Sequence, residues 1–451
     1  MSARWFKWYV SSAPNSPQSP VSAPVAIIGG GISGLAAAHY LRASGISSVV
    51  IEASSSLGGL LCTERIHNCT IETGADSWLA QKPWARELAA ELGLASDIIG
   101  SNDALRHISV LRRGKLVPFP KGLQLIVPKR LKTVWTSPLF SLTTKLRMTA
   151  DWRRHDSGNR PDRSVADFIR DHFGQGAIDY LAEPLLTGIY GGDPENLSAV
   201  SVLPKLVERE RRQGSLTRGL AQEPDPVGSV FESMRGGLGQ LIAALKPEQL
   251  IHGQADSIAR NGQAWQVRVD GNWLHASQVI IACPAHRAAF LLAELDAPLS
   301  NLLSTIQHSS AHIVAMAFRN LDLFKGFGLL VPKIERRNLM AATWVHNKFL
   351  GRAAQGTQLV RCFFRQPTDQ PVQELQQLLQ FKKEPEFIRT YQWPKSLPQY
   401  AVGHTTLVAD LESRTAQFPG LHLIGNAYHG VGIPDCVRLA RQTASNIARY
   451  D

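Results

Sequence analysis

The sequence of 451 residues has few cysteines, and they are scattered. None of the five belongs to a CxxC pair, and their number is odd. These absences argue against a zinc site and a disulfide framework, and they favour a reducing compartment such as the cytoplasm. The cysteines are Cys62, Cys69, Cys283, Cys362 and Cys436.

Long apolar runs are missing too. No stretch approaches the roughly 18 to 20 apolar residues that a membrane-spanning helix needs, so we expect a soluble protein or one that lies on a membrane surface. The sequence shows no recognised nucleic-acid-binding module, no Ser-His-Asp order, no metal-ligand cluster and no paired carboxylates in a motif context. It therefore predicts no nucleic-acid partner, no metal site and no catalytic triad.

Acidic residues are absent from one long segment. Between Asp103 and Asp151 there is no Asp or Glu, although ten Lys or Arg occur there, and the whole chain carries a net charge of +11. Phe119, Trp135 and Phe140 are interleaved with these cations. Such a segment suits an anionic lipid surface, where aromatic side chains enter the interface. A basic solvated surface has the same composition, so both interpretations stay open.

Residues 1–23 are another segment without acids, and they are rich in Ser and Pro. Because this composition contributes little to a packed core, we expect a disordered tail. A Ser-rich, acid-poor start is also typical of organelle targeting, which is the alternative prediction.

A phosphate-binding pattern follows directly. The stretch VAIIGGGISGL begins at Val25 and is typical of a strand, a glycine turn and the start of a helix. Gly29, Gly31 and Gly34 satisfy GxGxxG: the first permits the tight turn, the second lets the backbone approach a pyrophosphate, and the third lets helix and strand pack closely. Glu52 ends the next strand, where its carboxylate would accept hydrogen bonds from ribose hydroxyls and repel a 2′-phosphate. We therefore predict an adenine dinucleotide other than NADP.

Two further backbone turns indicate which dinucleotide is bound. Gly58 and Gly59 follow in EASSSLGGLL, and ETGADSW comes shortly after them. An NAD enzyme has no need of these turns, whereas a buried flavin is held along its whole length. The sequence therefore favours FAD.

With these motifs the sequence resembles a known family, the FAD-dependent oxidoreductases that include monoamine oxidases and carotene desaturases. The resemblance is carried by GGGISGL at 29–35, by Glu52, by the glycines at 58–59 and by ETGADS at 72–77. It extends over nearly everything from residue 24 onward. Further stretches resemble the protoporphyrinogen oxidases within that family: PLLTGIYGGDPENLSAVSVLPKL at 184–206, SMRGGLGQLIAAL at 233–245, LPQYAVGH at 397–404 and GNAYHGVGIPDCV at 425–437.

The resemblance implies an α/β fold with a Rossmann-like FAD-binding domain, an inserted α+β substrate domain, and a helical insertion that is a candidate for membrane association. A glycine turn near the start, VIIACPA at 279–285 and a second glycine loop near the end indicate that the FAD-binding domain is discontinuous. The expected bounds are 24–95, 230–300 and 405–451 for the FAD-binding domain, 96–229 for the largely helical insertion and 301–404 for the substrate-binding domain.

The resemblance also assigns the cofactor-binding residues, which fall on both glycine loops, on the acid of the second strand and on two later positions. An exposed strand-end aspartate is the alternative for Asp256, and an ordinary core tryptophan is the alternative for Trp393. The implied FAD contacts are Gly29, Gly30, Gly31, Ile32, Ser33, Gly34, Leu35, Glu52, Ala53, Gly58, Gly59, Gly74, Ala75, Asp76, Ser77, Asp256, Trp393, Gly425, Asn426, Val431, Gly432 and Ile433.

This chain departs from the family at two places. Many relatives have an arginine six residues before a hairpin glycine, whereas this chain has Ile108 before Gly114. Arg106 or Arg112 would bind a substrate propionate only after a local shift, and each is otherwise a solvated charge. In addition, VRLARQ replaces the usual serine and glycine of the last helix, which leaves that helix contact open.

The implied activity is the oxygen-dependent oxidation of protoporphyrinogen IX to protoporphyrin IX in haem biosynthesis, by successive two-electron transfers to FAD. The expected partners are this tetrapyrrole, molecular oxygen, a membrane surface and, in a homodimer, a second copy of the chain. Coproporphyrinogen oxidation, another amine or polyene oxidation and a flavin-less binding role are the alternatives. No catalytic acid or base is assigned, and His429 in the closing loop is interpreted as a spacer.

Overall fold

The computed structural model describes residues 23–155, 160–223, 228–262, 264–321 and 326–450. The segment predicted to be a disordered tail or a targeting sequence lies outside these residues, except for its last position. No helix in the described part of the chain is long and apolar enough to cross a membrane.

The elements of the described residues follow in chain order. The strands are β1 (Val25–Ile28), β2 (Ser48–Glu52), β3 (Thr63–Ile66), β4 (Cys69–Glu72), β5 (Trp78–Leu79), β6 (Ile98–Gly100), β7 (Ile108–Arg112), β8 (Lys115–Pro118), β9 (Leu123–Gln124), β10 (Val127–Pro128), β11 (Phe231–Met234), β12 (Gln249–His252), β13 (Ala255–Asn261), β14 (Ala264–Val269), β15 (Asn272–Ala276), β16 (Val279–Ile281), β17 (His308–Arg319), β18 (Gly328–Leu330), β19 (Leu339–Trp344), β20 (Thr357–Phe364), β21 (Phe387–Pro398) and β22 (Leu421–Leu423). The helices are α1 (Ile32–Ala43), α2 (Trp84–Glu91), α3 (Leu131–Thr136), α4 (Leu142–Asp151), α5 (Val165–Phe173), α6 (Gln175–Ala177), α7 (Glu183–Tyr190), α8 (Ala199–Val202), α9 (Pro204–Gln213), α10 (Leu216–Ala221), α11 (Gly239–Ala244), α12 (Ala285–Leu292), α13 (Ala297–Ser304), α14 (Val345–Lys348), α15 (Pro371–Leu379), α16 (His404–Thr415) and α17 (Ile433–Tyr450).

Five strands of the described chain form a parallel sheet in the order β12-β2-β1-β16-β22, which we call the parallel sheet. Its central strand is apolar on both faces. Val25 and Ile27 point into a core with α1 and α17, whereas Ala26 and Ile28 point into a second core with α12 and α13. Helices and loops therefore cover both faces, as parallel sheets require, and segments far apart in sequence build one sheet.

A second sheet in the described residues has seven strands in the order β21-β17-β20-β19-β18-β7-β8, and we call it the mixed sheet. Its pairs are antiparallel except for β18 with β7. Side chains alternate between its faces. Phe364, Trp344 and Met316 lie in a core with α15 on the outer face, whereas Arg361 and Trp393 reach the segment after β4 from the inner face.

The segment 96–229 was expected to be a largely helical insertion, but its α-helices begin only at Leu131. The helices α3 to α10 have their own core, which we call the helical lobe. Before them, β7 and β8 form a hairpin that joins the mixed sheet. The reason is local: ISVLR and KLVP flank Arg113 and Gly114, which both have positive φ, and such a two-residue turn matches the twist of paired strands.

Candidate functional site

The opening glycine turn, Gly29 to Gly34, is fixed by close backbone packing. Gly29 has φ +114°, and its N–H donates to the Ile51 carbonyl at 2.8 Å. A Cβ at Gly34 would lie 2.0 Å from the Gly29 carbonyl oxygen, so no side chain fits there. A Cβ at Gly31 would meet no described atom within 4 Å. The turn is therefore tight where helix meets strand and open where a ligand is expected.

Glu52 lies beside this turn. Its carboxylate accepts hydrogen bonds from the Gly30 N–H at 2.7 Å and from the Ser54 N–H at 2.8 Å. Ala53, the next residue, is exposed. The acid thus stands at the carboxyl end of β2, next to the N-terminus of α1, where the ribose of a dinucleotide would pass.

The second predicted turn packs on the first. The Gly58 N–H donates to the Gly30 carbonyl at 2.8 Å, and Gly31 and Gly58 form an isolated parallel bridge. A Cβ at Gly59 would lie 3.6 Å from the Gly31 Cα. Residues predicted from two separate motifs therefore form one continuous backbone surface.

The segment Glu72 to Ser77, which we call the ETGADS loop, continues this surface. The Ala75 N–H donates to the Leu60 carbonyl at 3.1 Å, and a Cβ at Gly74 would lie 2.3 Å from that same oxygen. Asp76 accepts hydrogen bonds from the Ser77 hydroxyl at 2.6 Å and from Lys348 Nζ at 2.9 Å. Burial opposes ionisation of Asp76, but Lys348 and Arg361 outweigh it and hold the pKa of this carboxyl well below its usual range.

The closing loop, Gly425 to Gly432, is organised by the side chain of Tyr400. Its hydroxyl donates to the Asn426 carbonyl at 2.7 Å and accepts the Gly430 N–H at 2.9 Å. The Tyr400 ring stacks on His404 with centroids 3.9 Å apart, and burial raises the pKa of Tyr400 far above its usual value. The phenol therefore stays protonated and serves as donor and acceptor at once.

The structure brings the two loops together. β1, β16 and β22 are neighbours in the parallel sheet, and their carboxyl ends lead into the opening turn, the segment from Ala282 to Pro284 and the closing loop. Ile32 and Ser33 at the start of α1 are buried, as is Ile433 at the start of α17. Leu35 and Ile433 share one core, and Val431 and Gly432 directly precede α17.

Of the two later positions in the prediction, Trp393 reaches this site. Its Nε1–H donates to the Thr73 carbonyl in the ETGADS loop at 2.7 Å. Asp256 lies on the antiparallel sheet of β13 to β15 and accepts a hydrogen bond from Arg268 at 2.5 Å. The geometry of Asp256 is that of the strand aspartate named as its alternative, and its contact with a cofactor stays a prediction.

His429 points elsewhere. Its Nε2 lies 2.7 Å from a Glu412 oxygen, and its ring lines a cleft of about 440 Å³ between α16, β22 and α17. Arg438 donates to the His429 carbonyl at 3.0 Å. The role of His429 as a spacer stays a prediction.

The residues present fit a flavin dinucleotide. Cβ atoms at Gly31 and Gly425 would meet no described atom within 4 Å, so backbone there is free to approach a ligand. The N-termini of α1 and α17 converge beside them, and helix N-termini favour phosphate. In the ETGADS loop, the buried Thr73 hydroxyl has no hydrogen-bond partner among the described residues. A polar cofactor atom would satisfy it.

Partly exposed apolar side chains from three parts of the fold, including the closing loop, pack against one core. Leu330 from the mixed sheet, Val431 from the loop, and Leu185 and Tyr190 from α7 all pack against the core of the helical lobe while staying partly exposed. On β19, Ala341 lies on the inner face of the mixed sheet, whereas Trp344 is fully buried on the outer face. Three parts of the fold therefore bring apolar side chains together at the core of the helical lobe.

Sequence reasoning missed the ion pairs and the phenol that hold these loops. Arg352 Nη1 lies 2.6 Å from Glu72 Oε1, and both side chains are buried. Their contact spans 280 residues, so no local pattern announces it. Tyr400 belongs to the quoted LPQY stretch, but its bridge to the closing loop depends on tertiary structure.

Comparisons with known proteins address the same regions. The profile of the family described as flavin containing amine oxidoreductase matches residues 32–448. Coproporphyrinogen III oxidase of Bacillus subtilis (strain 168) is 30% identical, with 94% of this chain and 98% of the relative covered. The Propionibacterium freudenreichii protein of the same name is 32% identical, covering 93% and 90%. Human protoporphyrinogen oxidase is 28% identical, covering 94% and 98%.

Solved structures give the same overall picture. A crystal structure from Exiguobacterium sp. 255-15, named as a candidate protoporphyrinogen oxidase, has a TM-score of 0.85 and 27% identity, with 95% of this chain and 99% of that chain covered. Putrescine oxidase with bound putrescine has a TM-score of 0.67 and 16% identity, over 95% and 99% of the two chains. At that identity the likeness shows the fold alone, which is the amine-oxidase-like α/β fold that the sequence predicts.

Proposed function

Because the chain belongs to the family of flavin containing amine oxidoreductases, we propose that it is a porphyrinogen oxidase of haem biosynthesis. It would remove electrons from a reduced tetrapyrrole in successive two-electron steps and pass them to molecular oxygen. The prediction of a flavin is confirmed by the family. Since the opening turn and Glu52 are built for an adenine dinucleotide, the cofactor is FAD, which accepts hydride when it is bound.

The observation that supports this proposal is a set of partly exposed apolar side chains that three parts of the fold bring to the core of the helical lobe. Leu330, Val431 and Tyr190 belong to this set, and Val431 lies in the closing loop. A porphyrinogen has a large apolar face, which such side chains would cover, and a covered site excludes water. In this proposal the residues of the chain orient the ring and exclude water, and we assign no catalytic acid or base.

A substrate with propionates also needs a cation, and Arg112 is the residue we propose. Arg112 follows Ile108 and Val110 on the inner face of the mixed sheet. Its guanidinium lies over the ring of Tyr180 in the helical lobe at 5.5 Å, and Nη1 donates to the Pro138 carbonyl at 2.5 Å. Its Nε is buried without a hydrogen-bond partner among the described residues, so capacity remains for a carboxylate.

Arg106 is the matched control for this assignment. Its guanidinium is 45% exposed and lies 3.9 Å from Asp103. We expect Arg112→Met to raise KM for a porphyrinogen at least about tenfold, which is about 1.4 kcal/mol of binding, while Arg106→Met leaves it within twofold. Equal effects of the two substitutions would contradict the role of Arg112.

The substrate within this class is proposed from the relatives. The sequence interpretation put protoporphyrinogen first, but the bacterial relatives described above are named coproporphyrinogen III oxidases at 30% and 32% identity. We therefore propose coproporphyrinogen III as the preferred substrate. Protoporphyrinogen IX is the second candidate, favoured by the human relative.

Anaerobic reduction of the bound flavin by each porphyrinogen tests both candidates. Bleaching of the flavin absorbance and the rise of porphyrin fluorescence would be followed together by stopped flow. Faster reduction by coproporphyrinogen supports the preferred assignment, and faster reduction by protoporphyrinogen replaces it with the second. If neither substrate bleaches the flavin while an amine does, the chain is an amine oxidase instead.

Attachment to an anionic membrane surface is the further partner that we propose, and it would use the outer side of α3 and α4. Trp135, Leu142 and Leu146 are 43%, 64% and 52% exposed there. Lys132 and Lys145 lie among them, in a segment without acids. Apolar side chains beside cations suit anionic lipid.

Vesicle co-sedimentation tests this attachment. The wild-type protein should sediment with phosphatidylglycerol vesicles and not with phosphatidylcholine vesicles, and L142E/L146E should abolish binding. Leu350→Glu is the control, since Leu350 is 70% exposed on another surface. Equal sedimentation of wild type and L142E/L146E would leave this surface as a basic solvated one.

A further inference from the structure

The ETGADS loop is held at both ends by ion pairs from one distant segment. At its start, Arg352 Nη1 donates to Glu72 Oε1 at 2.6 Å, and at its end Lys348 Nζ donates to Asp76 Oδ2 at 2.9 Å. Arg361 Nη1 lies 3.5 Å from Asp76 Oδ2. The cations come from the segment that joins β19 to β20 and from β20 itself. Side chains of the mixed sheet and of the segment between β19 and β20 therefore fix the position of the ETGADS loop.

Arg361 touches the middle of the loop directly. Its Nη2 donates to the Gly74 carbonyl at 2.5 Å, while its Nε has no hydrogen-bond partner among the described residues. The side chain is fully buried. Burial lowers the pKa of Arg361, whereas Asp76 and Glu72 oppose that shift, and an arginine remains protonated in proteins.

The charges of this cluster do not balance. Arg352, Lys348 and Arg361 carry three positive charges, whereas Glu72 and Asp76 carry two negative ones. One positive charge is therefore left over in a place with little water, where electrostatic interactions are strong. Burying an excess charge costs free energy unless a further group compensates for it.

We propose that Arg361 is a positioning residue that fixes the ETGADS loop and supplies the flavin with a buried positive charge that favours its reduced form. Two-electron reduction gives the flavin negative charge, which a fixed cation stabilises. This inference rests on the proposed function only in taking the loop to lie along the flavin ring, and it makes no use of the substrate.

The test is the reduction potential of the bound flavin, measured against reference dyes without porphyrinogen. Arg361→Gln removes the excess charge, so the equilibrium for two-electron reduction should fall at least tenfold, which is about 30 mV. Asp76→Asn removes one of the two negative charges and leaves Lys348 and Arg361 without their carboxylate partner, so the potential should rise. Arg361→Lys keeps the charge and should restore most of the wild-type value.

Arg319→Gln is the control, since Arg319 lies on the same mixed sheet but is 57% exposed and pairs with Glu386 at 2.6 Å. It should leave the potential unchanged. Opposite shifts in R361Q and D76N support the proposal, because structural damage alone would move both in one direction. Shifts of the same sign, or no shift, overturn it. If R361Q fails to retain flavin, D76N decides: a higher potential supports the proposal, and an equal or lower one overturns it. Failure of porphyrinogen oxidation with these shifts intact would count against the proposed function alone.

Discussion

The opening turn and the closing loop meet at one edge of the parallel sheet, yet they are held by different means. The opening turn depends on backbone in contact with backbone, as the 2.0 Å approach of a Cβ at Gly34 to the Gly29 oxygen illustrates. The closing loop depends on side chains, chiefly the Tyr400 hydroxyl between Asn426 and Gly430. Close backbone packing leaves no room for a side chain at Gly34. Contacts made by side chains can instead be removed one at a time by substitution.

The largest effect is expected from Gly34→Ala, which tests whether the opening turn depends on close backbone packing. The added Cβ would overlap the Gly29 oxygen, which is backbone and cannot move aside. We expect a loss of more than about 4 kcal/mol in the free energy of unfolding, with no flavin retained, as measured by chemical denaturation and by the visible spectrum.

Gly31→Ala is its matched control, since the same methyl group would meet no described atom. The stability of the apoprotein should stay within about 1 kcal/mol of wild type, while the affinity for FAD falls at least about tenfold. Equal stability of G34A and G31A would show that close backbone packing does not hold the opening turn.

The closing loop should lose less from Tyr400→Phe. Removing the hydroxyl leaves the Asn426 carbonyl and the Gly430 N–H without this partner, at a cost of about 1–3 kcal/mol. Thermal unfolding and FAD titration would both show the loss. A Y400F protein as stable as wild type would mean that water replaces the hydroxyl.

We expect acid to lower the stability of the strand that leads into the closing loop, because His422 lies in β22. Burial lowers the pKa of His422 to about 4, and its Nε2 lies 2.8 Å from Gln278 Oε1. The folded-state value lies below the usual 6.5, so protons favour the unfolded chain between these limits. The contribution of neutral His422 is therefore complete above about pH 6.5 and is lost as the pH falls towards about 4.

Melting temperatures of wild type and His422→Gln across that range check this prediction. The difference between the two proteins should change in favour of the variant on acidification. A constant difference would contradict it, because every other titrating group is shared by both proteins.

The smallest effect is expected from Lys82→Met. Lys82 Nζ lies 2.6 Å from Asp435 Oδ2 in the first turn of α17, and the side chains of Lys82 and Asp435 are 41% and 9% exposed. Because solvent reaches the Lys82 ammonium, we expect the pair to contribute about 1 kcal/mol, so the melting temperature should shift only slightly. A large loss would place this pair among the main supports of the closing loop.

The contrast between backbone and side-chain support also explains what the sequence could predict. The sequence could predict the glycine turns and the acid at the end of β2, because they depend on the absence of a Cβ or on position along a strand. They are GxGxxG, the glycines at 58–59 and Glu52. The pairing of Arg352 with Glu72 could not be predicted, because the two residues are 280 positions apart and no local sequence pattern links them. Only the fold reveals the charge left over around Asp76.

The hairpin of β7 and β8 teaches the same lesson for the fold. The resemblance implied a largely helical insertion from residue 96 onward, whereas ISVLR and KLVP form a hairpin in the structure. Its partner β18 lies more than 200 residues later. Local pattern therefore predicts that a strand exists, whereas tertiary packing decides which sheet receives it.

The adjacency of β1, β16 and β22 has a consequence for biosynthesis. β22 and α17 leave the ribosome only after about 400 further residues, which at typical translation rates takes about 20–80 s. Until then the nascent sheet lacks its edge strand β22 and the helix α17. Loading of the cofactor should consequently come late in synthesis and not guide early folding.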